Sequence, residues 1–267
     1  MHNILPARHR LRRNPEQLRK KMTLNPYKPV KTQVVGLQQL EGDYLMATLQ
    51  TVEEGFNTSF QSGQYVMASI PGFGETPHPL ASAPGNPRIK IPVKTRHEKH
   101  FQLQSYVGVR GPYGRGVPEK TMENNLVAVA SGEGIFPLRS LLLGHKPHKL
   151  FEYKILLQND YGSAMETELR NITDRTNLRI FETPEPLLEY LTNINLPIPS
   201  NALLLTPENM YPKILPHLKD SGVFEKDTLI YLLGDIVCGL GKCRQCPQNL
   251  CRRGPVMPYK EYAGGKT

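Results

Sequence analysis

The chain is expected to combine an all-β and an α/β fold: an antiparallel β-barrel, then a nucleotide-binding-like domain on a parallel sheet, then a cysteine loop hung from the last strand. Three observations predict this. Up to about Pro118 the apolar runs are short, alternate with polar residues and are broken by Gly, Pro and Asn. From Asn125 they become continuous and are separated by helical stretches. All the cysteines, Cys238, Cys243, Cys246 and Cys251, crowd near the C-terminus.

At 267 residues the chain can bury two cores. The expected division is a basic arm over 1–25, the barrel over 26–118, the α/β domain over 119–228, and the last strand, cysteine loop and tail over 229–267. The arm carries Arg8, Arg10, Arg12, Arg13, Arg19, Lys20 and Lys21 against Glu16, much of the net charge of +9. Docking on an acidic partner surface is the expected role; an organellar presequence or a solvated leader are the other readings. Nucleic-acid binding is not expected, because the arm offers no aromatic residue for bases to stack on. No run of eighteen apolar residues and no apolar signal core occur. The chain is therefore expected to be soluble and cytoplasmic.

Barrel strands are expected at Thr32–Gly36, Tyr44–Leu49, Gln64–Ile70, Arg88–Val93 and Tyr106–Arg110, where apolar residues recur with a period of two. In the second domain Leu126–Ala130, Tyr153–Leu157, Leu178–Phe181, Ala202–Leu205 and Thr228–Leu233 lack alternation, as strands buried on both faces do. Helices are expected at Leu138–Leu143, Ala164–Arg170, Pro186–Leu191 and Glu208–Leu218. A βα repeat of this kind implies a parallel sheet.

The first strand of that sheet runs into Ser131-Gly132-Glu133-Gly134-Ile135-Phe136-Pro137. A glycine turn opening a helix presents backbone N–H groups and the positive helix end to a phosphate. Tight packing alone also selects glycine here. Glu133 opposes a phosphate by placing a carboxylate in the turn, unless a base such as Arg139 offsets it.

The cysteines read C-x4-C-x2-C-x4-C, with Gly239 and Gly241 inside the loop. C-x4-C-x2-C is the plant-type iron–sulfur order, and glycines let backbone N–H groups approach a cluster. The fourth cysteine follows sooner than in plant-type proteins, which keeps a structural zinc site open. Free or disulfide-paired thiols are the bland alternative.

In this order, barrel, Gly111-Pro112-Tyr113-Gly114, Gly134-Ile135-Phe136-Pro137 and the cysteine loop closing on Gly254-Pro255-Val256, the chain resembles the ferredoxin–NADP reductase superfamily. Within it the resemblance is to the electron-transfer branch: the iron–sulfur subunit of dihydroorotate dehydrogenase, its counterpart in anaerobic sulfite reductase, and the sulfhydrogenase gamma subunit. It implies a [2Fe–2S] cluster on the four cysteines. It also implies FAD on the barrel, at His78, Pro79, Leu80, Ala81 and Ser82, with Lys94, Thr95 and Arg96 toward the diphosphate and Gly111 and Pro112 nearby. His78 would stand for an arginine on the pyrophosphate and Leu80 for a ring-covering aromatic; Ala81 supplies no hydroxyl. NAD(P)H would use Gly132, Gly134 and Pro137, with Thr206, Pro207 and Met210 toward the nicotinamide, although the family's Cys-Gly pair is replaced by Leu205-Thr206.

The implied role is electron transfer between a nicotinamide nucleotide or a partner, FAD and the cluster. The partners would be other subunits of an oxidoreductase complex or a redox carrier protein, with substrate chemistry on another chain. A degenerate adaptor that keeps the metal site without flavin or nucleotide is the alternative. The basic arm and the tail from Lys260 would be docking elements.

Overall fold

The computed structural model describes residues 27–70, 72–145, 152–173, 177–234, 236–246 and 249–265. The basic arm lies outside them. Six strands form the first sheet: β1 (Val30–Gln39), β2 (Tyr44–Thr51), β3 (Tyr65–Ile70), β4 (Gly74–Pro79), β5 (Arg88–Lys94) and β6 (Tyr106–Tyr113). Their order is β4-β3-β6-β1-β2-β5 and every pairing is antiparallel. Strand alternation turns Val34, Leu45, Leu49, Val66, Ile89, Ile91, Val93, Val107 and Val109 inward onto one core.

The sheet curls like a barrel without closing by a continuous ladder. Its edges β4 and β5 meet through the Ala81 N–H donating to the Lys90 carbonyl at 2.8 Å and through His78 Nδ1 against the Pro92 carbonyl at 2.7 Å. Strand β4, Gly-Glu-Thr-Pro-His-Pro, was not expected as a strand. Proline removes a ladder donor, and β4 tolerates Pro77 and Pro79 because it is an edge.

The second sheet contains β7 (Asn125–Ala130), β8 (Tyr153–Gln158), β9 (Asn177–Phe181), β10 (Ser200–Leu205), β11 (Thr228–Tyr231) and β12 (Val256–Pro258), in the order β12-β11-β10-β7-β8-β9. Five strands are parallel, as the βα rhythm predicts. The sixth, β12, runs antiparallel to β11, so the sheet is mixed. Helices α1 (Ile135–Gly144), α2 (Gly162–Ile172), α3 (Pro184–Thr192) and α4 (Tyr211–Asp220) connect its strands, and the short α5 (Leu250–Arg253) and α6 (Tyr259–Gly264) flank β12. The chain leaves β7 for β8 on one side and returns to β10 on the other. The glycine turn after β7 and Thr206 after β10 thus sit at the sheet's switch point, where open α/β sheets form a crevice.

The two domains share apolar packing. Tyr44 of β2 packs against Phe136 and Tyr161 of the α/β domain, with ring centroids 5.7 and 5.5 Å away. The tail from Lys260 forms most of α6, in which Tyr262 is buried and its hydroxyl donates to Glu208 at 2.8 Å. Among the described residues no helix is long and apolar enough to cross a membrane.

Candidate electron-transfer site

The cysteine loop leaves β11 and returns into β12, pinned at its neck by the Leu232 N–H donating to the Pro255 carbonyl at 2.8 Å and the Arg115 N–H to the Gly254 carbonyl at 2.6 Å. All four thiols are free; Cys246 and Cys251 are buried, Cys238 is half-buried and Cys243 is exposed. The Leu240 N–H donates to Cys238 Sγ and the Val237 N–H to Cys246 Sγ, each at 3.4 Å. Burial pushes the Cys238 thiol up, but hydrogen bonds from the Cys243, Leu240 and Lys242 backbone pull it down to about 6. Burial and the adjacent Cys246 push Cys251 up to about 11.

The thiols act on one another: Cys243 on Cys238, and both Cys246 and Cys238 on Cys251. Among the described residues no group of three or more His, Cys, Asp or Glu is set to hold a single metal ion.

The barrel holds this loop. Arg110, 7% exposed, pairs with Glu75 and donates to the Cys238 carbonyl at 2.9 Å and to the Tyr113 hydroxyl at 3.3 Å. The Tyr65 hydroxyl lies 3.4 Å from the carbonyls of both Gly239 and Cys251. Gly239 has φ +70°, and a Cβ there would stand 3.0 Å from Met67. Sequence reading missed Arg110, Glu75, Tyr65 and Met67, because nothing local marks them as neighbours of a loop so far along the chain. A charged residue at the end of an apolar barrel strand was the one available signal.

Between the barrel edge and the glycine turn lies a second feature, a cavity of about 270 Å³ lined by Tyr44, His78, Pro79, Lys94, Arg96 and Glu133. His78 was expected to meet a pyrophosphate. It cannot do so as a cation, since it is buried with both nitrogens engaged: Nδ1 donates to the Pro92 carbonyl and Nε2 accepts from Thr76 Oγ1, each at 2.7 Å. Burial lowers its pKa to about 4.

Leu80 does not cover the cavity either. It belongs to the barrel core, and Ala81 belongs to the core shared between the domains. Ser82 lies with Arg88, Lys90 and Arg139 in a separate pocket. Gly111 and Pro112 line another cavity with Arg110 and Tyr113. Lys94 and Arg96 do reach the cleft, whereas Thr95 does not line it and begins a 3-10 turn through His100.

The glycine turn closes on itself. The Gly132 N–H donates to Asp160 Oδ2 at 2.9 Å, and Gln158 holds the other Asp160 oxygen at 3.1 Å. Glu133 accepts from the Tyr44 hydroxyl and stands 3.4 Å from Lys94 Nζ. Arg139, expected to offset Glu133, instead pairs with Glu168 and donates to the Ala81 carbonyl. A Cβ on Gly134 would collide with the Leu205 carbonyl, so that glycine serves strand–helix packing. Pro137 and Met210 are buried, and Pro207 packs beside Gly132. Among the described residues, Thr206 Oγ1 and the Tyr231 hydroxyl are buried without a hydrogen-bond partner at the ends of β10 and β11. Burial raises the Tyr231 phenol's pKa, and Glu133 and Tyr65 raise it further.

A curled antiparallel sheet, a switch-point cleft and a parallel sheet behind it make the two-domain fold of ferredoxin–NADP reductases. A solved NADH-dependent reduced ferredoxin–NADP oxidoreductase matches with a TM-score of 0.67 at 17% identity, over 86% of this chain and 88% of that one. In sequence the chain resembles the electron-transfer subunits. It is 26% identical to the sulfhydrogenase 2 subunit gamma of Pyrococcus furiosus, over 88% of this chain and 96% of the relative. It is 29% identical to a probable dihydroorotate dehydrogenase B (NAD(+)) electron transfer subunit of Pyrococcus abyssi, over 77% and 82%. No protein-family model matches the chain.

Proposed function

We propose that this protein is an electron-transfer subunit of a multi-subunit oxidoreductase, with a [2Fe–2S] cluster on Cys238, Cys243, Cys246 and Cys251 and the flavin of FAD in the interdomain cleft. The observation that carries this reading is the loop itself: four free thiols within fourteen residues, with backbone N–H groups directed at Cys238 and Cys246. A structural zinc site usually draws its sulfurs as two C-x2-C knuckles, whereas C-x4-C-x2-C with glycines in the loop is the plant-type iron–sulfur order, so the spacing favours iron. Such a cluster, when bound, carries one electron at a time.

The chain's own part is positional. Backbone N–H groups favour the thiolate at Cys238, and Arg110 and Tyr65 press the loop onto the barrel. In the cleft, Arg96 supplies positive charge suited to a diphosphate, Lys94 is partly offset by Glu133 at 3.4 Å, and His78 and Pro79 supply a neutral wall. The names of the relatives, subunits of a sulfhydrogenase and of a dihydroorotate dehydrogenase, support a partner chain that performs the substrate chemistry.

Electrons are proposed to enter from that partner rather than from NAD(P)H. The turn that would seat a dinucleotide phosphate already holds Asp160 on its Gly132 N–H and carries Glu133, and two carboxylates repel a diphosphate.

Purification without oxygen, with iron, sulfide, zinc and FAD measured per chain and spectra taken with dithionite, NADH and NADPH, tests each part. About two irons with one FAD, reduced by dithionite and indifferent to both nucleotides, is the expected result. Iron without flavin would favour the adaptor reading, and zinc without iron would overturn the cluster. Bleaching by a nicotinamide would overturn entry from the partner.

A further inference from the structure

A pocket of about 500 Å³ lies at the junction of the barrel and α1, and it shares no lining residue with the cleft. Its barrel wall carries Ser82, Arg88 and Lys90, and its helix wall carries Arg139 and Leu143. The charge is unbalanced. Arg139, 3% exposed, is neutralised by Glu168, but Lys90 is half-buried and forms no ion pair among the described residues, and Arg88 adds a second cation at the rim. Burial and the neighbouring Arg139 both work against the Lys90 ammonium, and Glu168, already paired with Arg139, offsets them only in part. Ser82, 2% exposed, has a buried hydroxyl with no hydrogen-bond partner among the described residues. Buried hydroxyls are seldom left unpaired, because each costs about 1–3 kcal/mol.

We propose that this pocket binds a phosphate group, either as the free ion or carried by a small metabolite, with Lys90 and Arg88 supplying charge and Ser82 a neutral hydrogen bond. A phosphate group carries up to two negative charges and three or more acceptor oxygens, enough to meet two cations and a hydroxyl at once. The ligand would touch barrel and helix together, so its binding would bias how the two domains pack across the Arg139–Ala81 contact.

The test is calorimetric titration of the purified full chain, with inorganic phosphate and separately with AMP, at constant ionic strength with chloride as control. Phosphate binding is expected to weaken about tenfold or more in Lys90→Ala and about threefold in Ser82→Ala, to survive in Lys90→Arg, and to be unchanged in Lys94→Ala of the cleft. Melting curves in phosphate-free buffer confirm that the variants fold, and Arg88→Ala, at an exposed position, serves if Lys90→Ala does not. Phosphate and AMP binding alike would identify a phosphorylated small molecule; phosphate alone would identify the free ion. Undetectable binding, binding indifferent to Lys90, or binding lost in Lys94→Ala instead would overturn the proposal. None of these outcomes depends on whether the cysteines hold iron.

Discussion

The cysteine loop and the glycine turn use the same device, backbone N–H groups exposed by glycine, and put it to opposite ends. In the loop the N–H groups of Leu240 and Val237 point at sulfur, and the restraints come from outside, from Arg110 and Tyr65. In the turn the N–H of Gly132 is already taken by Asp160, and the neighbouring carboxylate of Glu133 is tied to Tyr44 and Lys94. One glycine-rich segment turns its N–H groups onto the chain's own sulfurs and the other is closed by the chain's own acids. What a motif's donors meet depends on residues outside the motif.

The strongest way to break this contrast is at the sulfurs. Cys238→Ser or Cys243→Ser is expected to abolish iron binding after anaerobic reconstitution, read as iron per chain and by electron paramagnetic resonance. Retention of the wild-type iron content would remove the cluster reading. Arg110→Met comes next, because it strands Glu75 and frees the Cys238 carbonyl. A loss of about 3 kcal/mol in urea unfolding is expected, with faster iron loss to a chelator. Arg110→Lys should recover only part, since an ammonium cannot reproduce the guanidinium fork.

The barrel edge provides a pH probe. His78 has its folded pKa lowered from 6.5 to about 4 by burial, so the unfolded chain takes up the proton first as pH falls. Its contribution is fully present above about 6.5 and is lost progressively as pH falls toward about 4, by up to about 3 kcal/mol. His78→Gln should flatten that part of the urea-midpoint profile; an unaltered slope would mean that another group titrates there. The smallest effect sharpens the contrast itself. Asp160→Asn with Glu133→Gln is expected to raise affinity for NADPH about tenfold in a fluorescence titration. No gain would mean that the tight Gly134–Leu205 packing, rather than charge, closes the turn.

Most of the strands were legible because their signals are local. Alternation marks Ile89, Ile91 and Val93 as inward, and the unbroken run Leu126–Ala130 is buried on both faces of its sheet. Strand β4 was hidden by its prolines, and β12 by its length of three residues, too short for any period to register. The crowding of the cysteines into one loop was legible directly from the sequence. Which side chains face the cleft was not: the run His78–Ser82 reads as one unit, yet it splits after Pro79 into cleft wall, barrel core and a separate pocket. Arg139 was legible as a base near the turn, but not as the partner of Glu168.

By itself the sequence determined the order of the two domains, the βα rhythm and the four thiols with their glycines, since periodicity, turn chemistry and spacing act between residues close in the chain. Only the tertiary structure decided what those features meet. Asp160 reaches Gly132 across 28 residues and Arg110 reaches Cys238 across 128. Long-range neighbours of this kind leave no trace in local pattern, because they are chosen by how the sheets pack rather than by the residues beside them.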